Sequence, residues 1–264
     1  MNAPVAANAP VTMEIAREHI ALVTLRRPEA RNAINAVVAK EMDRIVAAIE
    51  ADPNIWAAVI TGAGGKAFCS GADLKEVSAG GMPALWTDAG GFAGFVNAKR
   101  DKVWIAAVDG LAVAGGFEVA LACDFIIASE DAQFALPEVL RGLLAAAGGA
   151  YRLPRRLPRA LAFELIATGA RLGAARALTL NLINRVVPKE QTLQSALDFA
   201  ETICVNAPLA VRESLRLARR AFDLEDAELS AQSLEAQERI MLTADFAEGP
   251  RAFIEKRPPS WQGR

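Results

Sequence analysis

Residues Gly110 to Asp124 read GLAVAGGFEVALACD, and the rest of the chain is organised around them. The apolar run Val103 to Val108 comes just before and has the length of a buried strand. Gly115 and Gly116 follow, and a helical pattern opens with Phe117-Glu118. A strand, a glycine turn and a helix start aim backbone N–H groups and the positive end of a helix dipole at one point. Gly115 has no side chain, so an anionic oxygen can approach its N–H closely. Glu118 sits in the first turn of an otherwise apolar helix, Val119 to Ala122. Two readings stand for it. A helix-start carboxylate is favoured by the dipole when partly exposed, whereas a buried one needs partners or a job.

Composition narrows the classes. At 264 residues the chain can bury a large core, and 53% hydrophobic with 23% charged residues is a globular balance. The net charge is -2 and no basic block occurs, so nucleic acid is not an expected partner. No apolar run reaches the ~18 residues of a membrane span. Cys69, Cys123 and Cys204 are far apart and read as reduced thiols of a cytoplasmic protein. His19 is the only histidine, which argues against a histidine-based triad or metal site. Acid–base chemistry then falls to carboxylates, lysines, thiols or Tyr151.

Outward from the centre, the chain alternates strands and helices. Residues 1–12 are rich in Ala, Pro and Asn and read as a disordered tail, residues 13–200 as the core, and 201–264 as a helical region. His19 to Leu25 and Trp56 to Thr61 read as strands. Asn35 is placed to cap a helix over Ala36 to Glu50, in which Val38, Met42, Ile45, Val46 and Ile49 form a buried stripe. Strand, helix, strand is the order of a βαβ unit, so the fold class is α/β. Ala67-Phe68-Cys69 reads as a short buried run, followed by the small-residue turn Ser70-Gly71-Ala72-Asp73.

Five glycines (80, 81, 90, 91 and 94) lie between Ser78 and Arg100, interleaved with Trp86, Phe92 and Phe95. Such a segment reads as a pocket wall, or as aromatics packing onto the core. Asp124 to Ser129 and Gln133 to Ala135 are further strands, and Pro137 fixes the backbone before Glu138. Arg152, Arg155, Arg156 and Arg159 form a basic cluster, read as a solvated or ligand-phosphate face. Beyond Ala160 the signals are helical except at Ile183 to Val187. No G-x-G-x-x-G follows the first strand, which excludes the usual dinucleotide fingerprint.

These pieces together resemble the crotonase, or enoyl-CoA hydratase/isomerase, family from about Ile20 to the C-terminus. The resemblance rests on Arg27-Pro28 with Asn32-Ala33-Ile34-Asn35, on Ala67 to Leu74, on Ile105 to Asp124, and on Phe134 to Glu138. It implies a spiral of ββα units with a helical C-terminal oligomerisation region. It implies that the N–H groups of Ala72 and Gly115 form an oxyanion hole, and that Glu118 and Glu138 match the two catalytic glutamates of the hydratases. The expected roles are Glu118 as the base that takes the water proton and Glu138 as the acid that protonates Cα. Lys66, Ser70, Ala72, Asp73, Leu74 and Gly115 are the implied acyl-CoA contacts, joined by Phe253 and Lys256 on the last helix. CoA is then part of the substrate, no cofactor or metal is implied, and a homotrimer or hexamer is expected.

Gly115 to Glu118, Phe134 to Glu138, Gly91 to Gly94, Glu248-Gly249-Pro250 and Trp261 to Arg264 resemble the carnitinyl-CoA dehydratase subfamily in particular. On that resemblance Trp86, Phe92 and Phe95 are candidates to face a trimethylammonium group. Ala114, where a third glycine is usual, and Leu144-Ala145-Ala146, without the usual proline, depart from the pattern. A Δ3,Δ2-enoyl-CoA isomerase and a non-catalytic CoA-ester or RNA-binding paralogue are the alternatives.

Overall fold

The computed structural model describes residues 9–264. Its main sheet has six strands in the order β1 (Val11–Arg17), β2 (Ile20–Leu25), β3 (Ala57–Gly62), β7 (Val103–Val108), β9 (Phe125–Ser129) and β12 (Arg185–Val187). All neighbours run parallel except β1, which pairs antiparallel with β2 at the edge. The parallel strands β3 and β7 are buried along their whole length, as near-continuous apolar runs require.

Side chains alternate across the sheet with the period of two. Ala58, Ile60, Trp104, Ala106 and Val108 enter the larger core, while Ala57, Val59, Val103, Ile105 and Ala107 enter a second one. Helix α7 (Thr192–Cys204) covers that second face with Ala196, Leu197 and Ala200. Helix α1 (Ala36–Ala51) covers the first with Val38, Met42, Ile45, Val46 and Ile49. The Asn35 side chain accepts the Val38 N–H at 2.9 Å and caps it as expected.

A four-stranded sheet holds the business end of the fold. Its order is β11 (Leu172–Gly173), β10 (Gln133–Ala135), β8 (Leu111–Val113) and β4 (Ala67–Cys69), with β10, β8 and β4 parallel. A small hairpin, β5 (Trp86–Thr87) with β6 (Gly91–Phe92), and helix α2 (Leu74–Ser78) flank it. Helix α3 (Gly115–Ala122) follows β8. Helices α4 (Gly149–Arg156), α5 (Arg159–Thr168) and α6 (Ala174–Thr179) complete the core.

The C-terminal helices are α8 (Pro208–Arg220), α9 (Asp226–Met241) and α10 (Ala244–Glu255). The chain end is tied back to them. The buried Asp245 carboxylate accepts the N–H groups of Gln262 and Gly263 at 2.6 and 2.9 Å, and Trp261 Nε1 donates to Val205 O at 2.8 Å.

The expected tail of residues 1–12 needs correction at its end. Residues 1–8 lie outside the described residues, but β1 begins at Val11, which is fully buried. Its partner β2 supplies the reason. Val11 pairs with Leu25 through a register that Ala- and Pro-rich composition conceals. The basic segment at Tyr151 lies largely in helix α4.

Candidate active site

Two segments meet at the start of α3. Ile34 N–H donates to Gly71 O and Asp73 N–H donates to Ile34 O, each at 2.8 Å. This parallel bridge engages the residues on either side of Ala72 and turns the Ala72 N–H away from Ile34. Gly115 opens α3, so its N–H belongs to the first turn that no intrahelical carbonyl can satisfy. The two peptides are neighbours. A Cβ built on Gly71 would stand 2.9 Å from the Gly115 nitrogen, and Gly71 holds a φ of +87°. A Cβ on Gly116 would fall 2.1 Å from Cys69 O. Only glycines allow this close passage of α3 across the end of β4.

A polar clamp holds the Ala72 side. Arg27 Nη2 pairs with Asp73 Oδ2 at 2.9 Å, and its Nη1 donates to Ala33 O at 2.7 Å. The buried Asn32 accepts the Arg27 N–H and donates to Ala63 O and Ala67 O. The Arg27 hydrogen bond holds the Asp73 carboxyl below its ordinary range. On the Gly115 side the strain is local. Ala114 has φ 51° and ψ -131°, a conformation that glycine adopts without cost and alanine does not.

Both glutamates are buried. Glu118 is 3% exposed, and its Oε1 accepts the Gly149 N–H at 2.8 Å. Burial pushes its carboxyl up to about 7, the nearby Glu138 charge pushes the same way, and the Gly149 and Ala147 N–H groups and Arg152 oppose them. Glu138 is 8% exposed in the single turn Pro137–Arg141. Burial raises it as well, against its own N–H and Arg141. Its Oε2 is buried without a hydrogen-bond partner. The choice between the two readings of the Glu118 position is thereby made. The side chain is buried and partnered, not an exposed helix-start acid.

The aromatic residues divide. A Cβ on Gly115 would lie 2.4 Å from Phe92 Cε1, so the Phe92 ring stands against the start of α3. Trp86 packs edge-on against Phe92 with centroids 5.8 Å apart, and is 37% exposed. Phe95 goes elsewhere: it is fully buried against Trp104, with the Arg100 guanidinium over its ring.

The other candidate residues are less convergent. Ser70 hydrogen-bonds the Ala30 and Arg31 carbonyls, Lys66 is exposed, and Leu74 is 53% exposed. Phe253, 85% exposed, lies on α10, and Lys256 follows directly; no hydrogen bond or ion pair among the described residues links them to the Lys66–Leu74 segment. Burial pushes the Cys69 and Cys123 thiols up to about 12, which removes them as nucleophiles. Gly149, the residue that orients Glu118, was not among the expected site residues. The pair Gly148-Gly149 before α4 repeats the Gly115-Gly116 pattern and was its one visible signal.

A helix start offering N–H donors beside two buried carboxyls defines an enzyme of acyl-transfer or enolate chemistry, in which negative charge on a carbonyl oxygen is stabilised and a proton is moved. Comparison with known proteins specifies it. Residues 16–264 match the family model described as enoyl-CoA hydratase/isomerase, and the chain belongs to that family. It is 42% identical to a carnitinyl-CoA dehydratase of Proteus mirabilis over 92% of this chain and 94% of that protein. An enoyl-CoA hydratase structure from Mycobacterium tuberculosis superposes with a TM-score of 0.93 at 38% identity, covering 97% of this chain and all of that one (100%). A carnitinyl-CoA hydratase structure from Mycobacterium avium is 44% identical, with a TM-score of 0.76 over 98% of this chain and 100% of that one. The chain is a hydro-lyase of the enoyl-CoA hydratase type.

Proposed function

We propose that Glu118 and Glu138 share one proton and use it to add water to, and remove it from, a 2-enoyl-CoA thioester. One observation supports this above the others. The buried Glu118 carboxyl, in the first turn of the helix that Gly115 opens, feels the charge of the buried Glu138 and is fixed by Gly149. In the dehydration direction the Glu138 carboxylate removes the Cα proton while the thioester oxygen becomes an enolate oxygen held by the Ala72 and Gly115 N–H groups. The enolate then re-forms the carbonyl, the Cβ–O bond breaks, and Glu118 protonates the departing hydroxyl as water. Hydration is the reverse, with Glu118 taking the water proton and Glu138 protonating Cα.

Burial raises both carboxyls, and the Glu138 charge pushes Glu118 the same way, which supports one proton held between the two. With that proton on Glu138 the pair is set for hydration, and with it on Glu118 for dehydration. The pair titrates as a unit, so both directions need one shared proton and draw on the same charge state.

The acyl group we propose is one ending in trimethylammonium, as in carnitinyl-CoA and crotonobetainyl-CoA. Trp86 is partly exposed and packs on Phe92, whose buried ring stands against the start of α3, so Trp86 is the aromatic face open to a quaternary ammonium. Phe95 is removed from this role, since Arg100 already occupies its face. Lys66, Ser70 and Leu74 are proposed to follow the CoA chain, with Phe253 and Lys256 reaching it from a neighbouring subunit. The apolar exposure of Phe222, Leu242, Phe253 and Ile254 fits a homotrimer or a pair of trimers.

Loss of the conjugated enoyl thioester absorbance, followed with crotonyl-CoA beside crotonobetainyl-CoA, tests the reading. Preference for crotonobetainyl-CoA that falls in Trp86→Leu supports it, and equal turnover of both would remove the aromatic wall as the specificity element. Conversion of a 3-enoyl to a 2-enoyl thioester without hydration would make the chain an isomerase instead.

A further inference from the structure

The far end of α3 opens on a cavity of about 470 Å³, whose lining includes Arg100, Trp104, Arg152, Arg155, Arg156 and Arg219. The carboxylates nearby are already engaged. Asp124 is paired with Arg219 at 2.8 Å, Asp223 with Arg155 at 2.7 Å, and Glu50 accepts Trp104 Nε1 and the N–H groups of Asp101 and Lys102. Arg100, Arg152 and Arg156 form no salt bridge among the described residues, and their hydrogen bonds go to backbone carbonyls. Arg100 donates to Ala122 O, Arg156 to Cys123 O, and Arg152 to Ala147 O and Val96 O.

Charge and donors are both in surplus here. Each guanidinium carries five N–H donors, and these three together make four hydrogen bonds. Arg100 Nε is buried with no partner. The C-terminal end of α3 offsets roughly half a charge, and Glu118, on the active-site side of Arg152, offsets part of one more only when ionised. Lys102 adds to the excess, its ammonium buried against Ile49 O and Asp52 O. Burial holds Arg100 and Arg156 below their ordinary range, outweighing the Asp124 charge that acts on both and the Glu50 charge that acts on Arg100.

We propose that this cavity is a binding site for a phosphate-bearing anion, separate from the acyl-CoA site. Planar guanidiniums with free donors in a half-buried cavity match a multivalent oxyanion better than a monovalent ion. The volume exceeds that of inorganic phosphate and admits a small phosphate ester.

The test uses the intact protein and inorganic phosphate as probe, with chloride balancing ionic strength. Thermal stability is followed as phosphate is titrated, in wild type and in Arg156→Gln, and 31P line broadening reports binding directly. We expect a saturable rise in Tm that chloride does not reproduce, weakened tenfold or more in Arg156→Gln. Enoyl-CoA turnover should stay within twofold of wild type in that variant. A small phosphate monoester, titrated alongside, should bind at least as tightly as phosphate if an ester is the natural occupant; weaker binding would assign the site to free phosphate. An equal rise in the two proteins, or an equal rise with chloride, would overturn the proposal. So would loss of phosphate binding when CoA saturates the enzyme, since the phosphate would then be reading the CoA site. Should Arg156→Gln not fold, Arg100→Lys keeps the charge and loses the fork, and unchanged 31P broadening in it would overturn the proposal equally.

Discussion

Replacing Glu118 by glutamine tests the buried carboxyl in two independent ways. The carboxyl is ordinarily half-ionised at 4.5, and burial raises it to about 7. Below 4.5 it is protonated in both the folded and the unfolded chain and has no effect on the pH dependence. As pH rises from 4.5 to 7 the unfolded chain ionises while the folded one keeps its proton, so stability is lost across that window and is flat above it. The interval corresponds to about 3 kcal/mol, an upper figure because the interior relaxes around a charge. For a chain of this size that is about 5 °C in Tm. The Glu118→Gln side chain has no such titration and keeps an acceptor for the Gly149 N–H. The difference in Tm, variant minus wild type, should therefore grow by up to about 5 °C between pH 4.5 and 7.5, at fixed protein concentration. Titrating groups not coupled to Glu118 cancel in that difference, which leaves the titration of the Glu118–Glu138 pair. Hydration and dehydration should fall by ~10²–10⁴, the range of a lost general acid or base. A Tm difference that does not change with pH would show that the carboxyl is not held protonated, and the shared-proton argument would fail with it. Undiminished turnover would separately remove Glu118 from the mechanism.

Three further outcomes follow from the same geometry. Gly116→Ala would set a Cβ 2.1 Å from the Cys69 carbonyl oxygen and push α3 off β4; the hole is then misaligned, and kcat should drop by ~10²–10³, as for loss of one oxyanion donor, while unchanged kcat in a folded variant would refute the placement. Arg27→Lys keeps the charge but loses the two-pronged hold on Asp73 and Ala33, so kcat should fall about tenfold with KM little changed; an effect confined to KM would make Arg27 a binding residue and not a positioning one. Ala114→Gly removes the strain of φ 51° at that position. Strain relief of about 1–3 kcal/mol against the ~1 kcal/mol entropic cost of glycine predicts a rise in Tm of up to about 4 °C, read by scanning calorimetry, and a fall would refute the strain.

How much of this was visible in the sequence depends on how local the cause is. β7 matches its expected bounds, and β10 does too, because a buried parallel strand is a continuous apolar run with sharp ends. α1 followed from its cap and its stripe. β1 was hidden, since an edge strand's pairing with β2 is a matter of register and only Val11 is fully buried in it. The glutamates and the glycine turn were legible as residue types out of place, a carboxylate in an apolar helix and paired glycines at its start.

What was not legible is direction. Phe92 and Phe95 sit three residues apart in one glycine-rich segment, and composition treats them alike. Gly91 and Gly94 hold φ of +66° and +64°, and Ala93 between them is also positive, at +58°. These turns send Phe92 to the start of α3 and Phe95 into the core under Arg100. A backbone that reverses hand within four residues leaves no periodicity from which a side chain's face can be read. The same holds for Arg152, read as part of a solvated or ligand-phosphate face, whose helix follows a Gly148 at φ +116°. That turn brings the Gly149 N–H onto Glu118 and the Arg152 guanidinium onto the Ala147 and Val96 carbonyls. One residue step in this loop therefore sets both the surroundings of the buried Glu118 carboxyl and the wall of the arginine-lined cavity behind it.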